Sequence, residues 1–134
     1  MRILLVIAVI VAVDRATKEI AVRRLTHRRC GPLRVVATGR TLFARDASPR
    51  ELVIMWVAAV TCAGAALVCS SELRENPLVT VGLAAVLAGA SSNLLDRLMH
   101  GTVVDFMALG RWPVFNFADI AILAGAALAG VSLL

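Results

Sequence analysis

The chain has 134 residues, of which 60% are hydrophobic and 17% charged, with a formal net charge of +5. A mean hydropathy of +0.86 leaves too few polar side chains to cover the surface of a water-soluble domain, so composition excludes that class and points to a single-domain membrane protein. The positive charge then speaks for lipid headgroups, and with aromatic residues at 4% there is no stacking platform of the kind single-stranded nucleic acid requires.

The first apolar run, Ile3 to Val13, has the size of a signal-peptide core and follows Arg2, but no small-x-small cleavage site comes after it. Helix-forming residues continue to Leu25, so one helix over about 2–25 is expected. It carries Asp14 and Lys18, which are four apart, share a face and can pair. Two readings stay open for that pair: an inward-facing pair within a bundle, or an ion pair where the helix leaves the bilayer. The following stretch is punctuated by Pro32, Gly39 and Pro49 and is rich in arginine, among them Arg28, Arg29, Arg34, Arg40, Arg45 and Arg50. It predicts a headgroup-level loop with a short β-ribbon over about 33–43.

Leu52 to Cys69 is uncharged over 18 residues; at 1.5 Å per residue this is about 27 Å of helix, close to the roughly 30 Å hydrocarbon core. Trp56 sits near its start, where interfacial aromatics are common. Ser70 to Pro77 reads as a polar turn. A third helix over about 78–95 sets Gly82, Ala85, Gly89 and Ser92 at three- and four-residue steps, a face suited to close helix packing. A fourth over about 117–134 offers Gly125, Ala129 and Gly130 for the same purpose. Cys62 and Cys69 fall on one helical face and are expected to pack inside the bundle as small apolar residues. With Cys30 they make an odd set without metal-ligand spacing, and His27 and His100 lack ligand partners nearby, so no metal site is expected.

Asp96, Asp105 and Asp119 lie between the third and fourth apolar segments, and acids in or beside hydrocarbon are functional candidates. A third helix ending and a fourth beginning at one membrane surface would bring Asp105 and Asp119 together. Two carboxylates held close cannot both ionise easily, so they share a proton and titrate as a unit. One can then take a proton from water while the other protonates or polarises a carbonyl oxygen, which hydrolyses a peptide without metal or covalent intermediate. The same residues admit a purely structural reading. Asn116 is a good N-cap, Asp119 three residues later completes a capping box and complements the helix dipole, and Asp96-Arg97 can simply end a helix. No Ser–His or Cys–His set competes for nucleophilic catalysis.

Four blocks, in order, resemble the signature of the bacterial lipoprotein signal peptidase (signal peptidase II) family. They are Asp14-x-x-Thr17-Lys18, Gly89-x-x-x-Asn93-x-x-Asp96-Arg97, Val103-Val104-Asp105-Phe106, and Trp112-Pro113-x-Phe115-Asn116-x-Ala118-Asp119. Each block alone is weak; the ordered set is specific and spans most of the chain. The resemblance implies an all-α membrane protein, a four-transmembrane-helix bundle with a small β-cradle in the first extracytoplasmic loop. It implies an aspartyl endopeptidase that removes the signal peptide from diacylglyceryl-modified prolipoproteins, cutting before the lipidated Cys. On that basis Asp105 and Asp119 form the catalytic dyad, and Asn93, Arg97 and Asn116 orient it and the substrate backbone. Asp14 and Lys18 brace the first helix, and Asp96 pairs with Arg97. No metal or cofactor is implied. The expected partners are prolipoproteins and membrane lipids, not nucleic acid, and the expected state is a monomer in the bacterial cytoplasmic (inner) membrane.

In the first loop the family carries an Asn-x-Gly-x-x-Phe block. This chain reads Ala37-Thr38-Gly39-Arg40-Thr41-Leu42 there, keeping the Gly and lacking the Asn and the Phe. That departure keeps a second reading alive, a catalytically silent or specialised paralogue that binds lipoprotein precursors. A third is a small proton-coupled transporter subunit using Asp14, Lys18 and Asp119, although such a relay calls for acids in mid-bilayer. The positive-inside rule assigns the basic loops to the cytoplasm. The family resemblance implies the reverse, with the active site facing outward and both termini inside, and we adopt it because lipidated precursors are cut at the outer surface.

Overall fold

The computed structural model describes residues 2–25, 33–38, 48–108, 114–132 and 134, with the backbone alone at 2, 25 and 33–38. Helix α1 (Arg2–Leu25) buries Asp14, Lys18 and Ala21, an i, i+4, i+7 set on one face. Strand β1 (Leu33–Thr38) follows, then α2 (Pro49–Cys69), the short α3 (Ser71–Glu75), α4 (Pro77–His100), β2 (Val103–Met107) and α5 (Phe117–Val131).

Local chemistry sets the helix ends. Ser48 and Glu51 form a capping box around Pro49, which removes one orphan donor by having none. Ser70 ends α2 and also N-caps α3, so the segment read from sequence as a polar turn contains a short helix. Asn76 accepts from Leu78 N and Val79 N to start α4. That helix continues past the expected 95 to His100, because nothing breaks it until Gly101, whose φ of 70° is a left-handed C-cap.

β1 and β2 pair antiparallel, with Val36 opposite Asp105 and Ala37 opposite Val104. The expected ribbon over 33–43 is thus a strand over Leu33–Thr38 that joins the first loop to the segment bearing Asp105; residues 39–43 lie outside the described residues.

The core is the contact between α4 and α5. Both helices bury small residues there: Gly82, Ala88 and Gly89 from α4, and Ala118, Ala121, Gly125 and Ala129 from α5. A Cβ on Gly82 would stand 2.6 Å from Gly125 O, and one on Gly89 would overlap Ala118 O. The backbones approach this closely only because no side chain stands between them. Gly130, expected to share in that packing, is exposed with open space around it.

α2 behaves differently. None of its residues is buried, and its backbone approaches α4 and α3 but neither α1 nor α5 among the described residues. Its half-buried positions Leu52, Trp56, Val60, Ala63 and Leu67 form one stripe toward α4. Cys62 and Cys69 are exposed. This corrects the expectation that they pack inside the bundle: their shared helical face is not the face α2 turns inward. Two helices, α2 and α4, are long and apolar enough to cross a membrane, and α5 is apolar but shorter at 15 residues.

The close α4–α5 contact generates a paired prediction. Gly89→Ala forces α5 away from α4 and costs about 1–3 kcal/mol, read as a lowered Tm in detergent. Gly64→Ala, where nothing lies within 4 Å, leaves Tm unchanged or raises it by the equivalent of roughly 0.5–1 kcal/mol, the helical preference for Ala over Gly.

Candidate active site

Three elements converge beside the N-terminus of α5. Asp105 comes from β2 and is 1% exposed; Asp119 comes from the first turn of α5 and is equally buried. Asn116 caps α5. Its Oδ1 accepts from Asp119 N at 3.0 Å, and its own N–H donates to Asp119 Oδ2 at 3.3 Å. The capping box read from sequence is therefore real. It also anchors the Asp119 carboxylate, leaving Oδ1 for other partners.

The Asn116 amide is oriented by that cap. A backbone N–H can only donate, so the side-chain oxygen must face Asp119 N and the NH2 must face away. That NH2 donates to Asp105 Oδ1 at 2.8 Å and to Asn93 Oδ1 at 3.0 Å. Asn93 on α4 is oriented by the same reasoning. The Lys18 ammonium has only donors and reaches Asn93 Oδ1 at 3.0 Å, so the Asn93 NH2 points the other way, to Asp119 Oδ1 at 2.9 Å. Two asparagines thus link the two aspartates through a chain with one self-consistent direction.

Behind them lies a buried ion network. Lys18 Nζ is 2.6 Å from Asp14 Oδ2 and 2.7 Å from Asp96 Oδ2. With Asn93 these acceptors match the three protons of the ammonium. Asp14 also accepts from Ser92 Oγ at 2.6 Å and from Ala118 N at 2.8 Å. It therefore supplies an anion to the N-terminus of α5, where the helix dipole favours one. Arg15 approaches Asp96 from a more exposed position at 3.6 Å.

On the other side of Asp119 an apolar cavity of about 210 Å³ opens between α2, α4 and α5. Its walls include Leu52, Trp56 and Ile122, and Asn93, Arg97 and Asp119 form its polar end. Among the described residues no group of His, Cys, Asp and Glu has the arrangement to hold a metal ion.

A solved bacterial membrane enzyme structure shares this fold with a TM-score of 0.73 at 22% identity, over 99% of this chain and 92% of that one. The family model for signal peptidase (SPase) II matches residues 6–134. The chain belongs to the signal peptidase II family. A lipoprotein signal peptidase of Pelotomaculum thermopropionicum is 34% identical over the whole of this chain and 92% of its own length. One from Mycobacterium avium is 32% identical over 96% of this chain and 76% of its own length.

All seven residues singled out from this signal peptidase II sequence, Asp14, Lys18, Asn93, Arg97, Asp105, Asn116 and Asp119, are buried. Six of them share the hydrogen-bonded assembly described above, and Arg97 lines the cavity beside it. Asp14 and Lys18 do not merely brace α1; they tie it to α4 and to the first turn of α5. Asp96, expected beside Arg97, serves as the second anion of Lys18. Trp112 and Pro113 of the fourth block lie outside the described residues. Sequence reasoning missed Ser92, read only as a small packing residue, and the apolar wall of the cavity. The signal for Ser92 is present in the spacing: it stands four residues before Asp96, on the same helix face.

Lys18→Met leaves Asp14 and Asp96 without their common cation. Removing one partner of a buried ionic cluster costs about 3–5 kcal/mol, so a fall in Tm and loss of folded yield in detergent are expected. Lys18→Met combined with Asp96→Asn recovers part of that loss, whereas Asp96→Asn alone is milder because Lys18 retains Asp14.

Proposed function

We propose that Asp105 and Asp119 are the catalytic dyad of this signal peptidase II, an enzyme that removes signal peptides from lipoprotein precursors. The observation that carries the reading is the buried link from Asp119 through Asn93 and Asn116 to Asp105. One carboxylate takes a proton from a water molecule as its oxygen attacks the scissile carbonyl carbon. The other donates a proton to the carbonyl oxygen. Transfer of a proton to the leaving nitrogen then breaks the C–N bond, releasing the signal peptide as a carboxylate and freeing the amino group of the lipidated Cys. Asn93 and Asn116 hold the dyad, Arg97 meets the substrate backbone at the mouth of the cavity, and Asp14 and Lys18 fix α1 and α5 behind it.

The same reading makes the chain one domain with four membrane-crossing helices, α1, α2, α4 and α5, and the β1–β2 pair as a cradle at the outer surface. It is supported by the apolar lengths of α2 and α4 and by the position of Asp119 at a helix start, where a lipid-anchored substrate is met at headgroup level. The enzyme acts as a monomer in the bacterial cytoplasmic membrane, surrounded by lipid, with the dyad facing outward.

The test is cleavage of a diacylated prolipoprotein by the protein purified in detergent, followed by mobility shift. Asp105→Asn and Asp119→Asn each lower the rate by about 10²–10⁴-fold, the range for loss of a general acid or base. Precursor binding without turnover by the parent protein would instead identify a silent paralogue.

A further inference from the structure

Ala118, the residue just before Asp119, is held at both of its peptide groups. Its carbonyl lies against Gly89, where a Cβ would overlap it. Its N–H is one of the orphan donors in the first turn of α5. The cap Asn116 accepts from Asp119 N, whereas Ala118 N donates to Asp14 Oδ1 at 2.8 Å. One cap of α5 is thus delivered from α1, 104 residues away in sequence. The aim of that carboxylate is set at its other oxygen. Asp14 Oδ2 receives Lys18 Nζ and Ser92 Oγ, each at 2.6 Å. The two restraints are unequal. Lys18 ends a flexible four-carbon stem, and its ammonium can follow a turning carboxylate. Ser92 is 1% exposed and places its oxygen with a single torsion. Its hydroxyl has one proton, and an ionised carboxylate can only accept it. The short side chain therefore sets the plane of the Asp14 carboxylate, and with it the direction of Oδ1.

We infer that Ser92 is a positioning residue of this peptidase. Through Asp14 it fixes the Ala118 peptide, and Asp119 is the next residue along the chain. Its neighbour on α4, Asn93, donates to Asp119 Oδ1 at 2.9 Å. Consecutive residues of α4 thus place the backbone and the carboxylate of the same acid. Neither Ser92 nor Asp14 lines the cavity beside Asp119, so the hydroxyl acts on turnover rather than on precursor binding. That role rests on Asp119 being catalytic.

The experiment uses the full chain in nanodiscs and one diacylated precursor. Parent protein, Ser92→Ala and Gly82→Ala are compared by kcat, by KM, by Tm and by the NMR shift of the Ala118 amide proton. Gly82 packs against Gly125 and Ala129, about 15 Å along α4 from Ser92 at 1.5 Å per residue. Its substitution loosens the same helix pair without touching the hydrogen-bonded network. Ser92→Ala lowers kcat by about 10–100-fold, the scale of a reacting group displaced by up to an ångström, while KM stays near the parental value. It also moves the Ala118 amide proton upfield, because the charge-assisted bond to Asp14 lengthens. Gly82→Ala lowers Tm and leaves kcat of the folded protein unchanged. Parental kcat in Ser92→Ala, an unmoved Ala118 amide, or a kcat loss matched by Gly82→Ala at equal loss of Tm would overturn the assignment. Asp119→Asn is run beside them: activity retained there removes the catalytic premise, whereas an inactive Asp119→Asn with parental kcat in Ser92→Ala removes the inference alone.

Discussion

The buried ammonium of Lys18 is the constraint on which the rest of the site depends. A cation with only donors, taken out of water, must be matched proton for proton. It is matched by Asp14 on its own helix and by Asn93 and Asp96 on α4. Because Asp14 also receives Ala118 N, the cation indirectly fixes where α5 begins. Because Asn93 turns its oxygen to Lys18, its amide hydrogens are turned to Asp119. One charge therefore sets the placement of two helices and the orientation of the Asp119 carboxylate.

Structure and chemistry are carried by the same atoms at the start of α5. Asn116 is a helix cap, and the groups that satisfy the cap determine which way its NH2 points, toward Asp105. A helix cap and a side chain that orients a neighbouring carboxylate are usually weighed as rival explanations for such a residue. Here the first is the means of the second. The near-contact of backbone at Gly89 and Ala118 has the same double character, since it brings the α5 start within reach of Asn93. Donors and acceptors around Asp105 and Asp119 are spent on one another, so the fold itself holds the two carboxylates in place.

Much of this was legible in the sequence because it is periodic. Apolar runs of helical length gave four long helices, and small residues at steps of three and four marked the α4–α5 contact. The capping box at Asn116 and Asp119 was readable from spacing alone. The strand that carries Asp105 is not visible in the sequence because its pairing partner, β1, is about 70 residues earlier in a basic loop, and strand pairing across that distance leaves no local trace. Adjacency in sequence suggests Arg97 as the partner of Asp96, whereas the approach of Lys18 from α1 is a tertiary contact that no local pattern reveals. The spacing of Cys62 and Cys69 shows that they share a face, not which face the helix turns inward.

The absence of any buried residue on α2 divides the molecule into two parts with different evolutionary freedom. Among the described residues, three helices and a strand hold every buried charge, and substitutions there act on the fold first. α2 holds none, yet it supplies much of the apolar wall next to Asp119. Drift along that helix can reshape the apolar wall beside Asp119 while the buried contacts of the remainder stay unchanged, so cavity shape and stability are free to evolve at separate rates in one small chain.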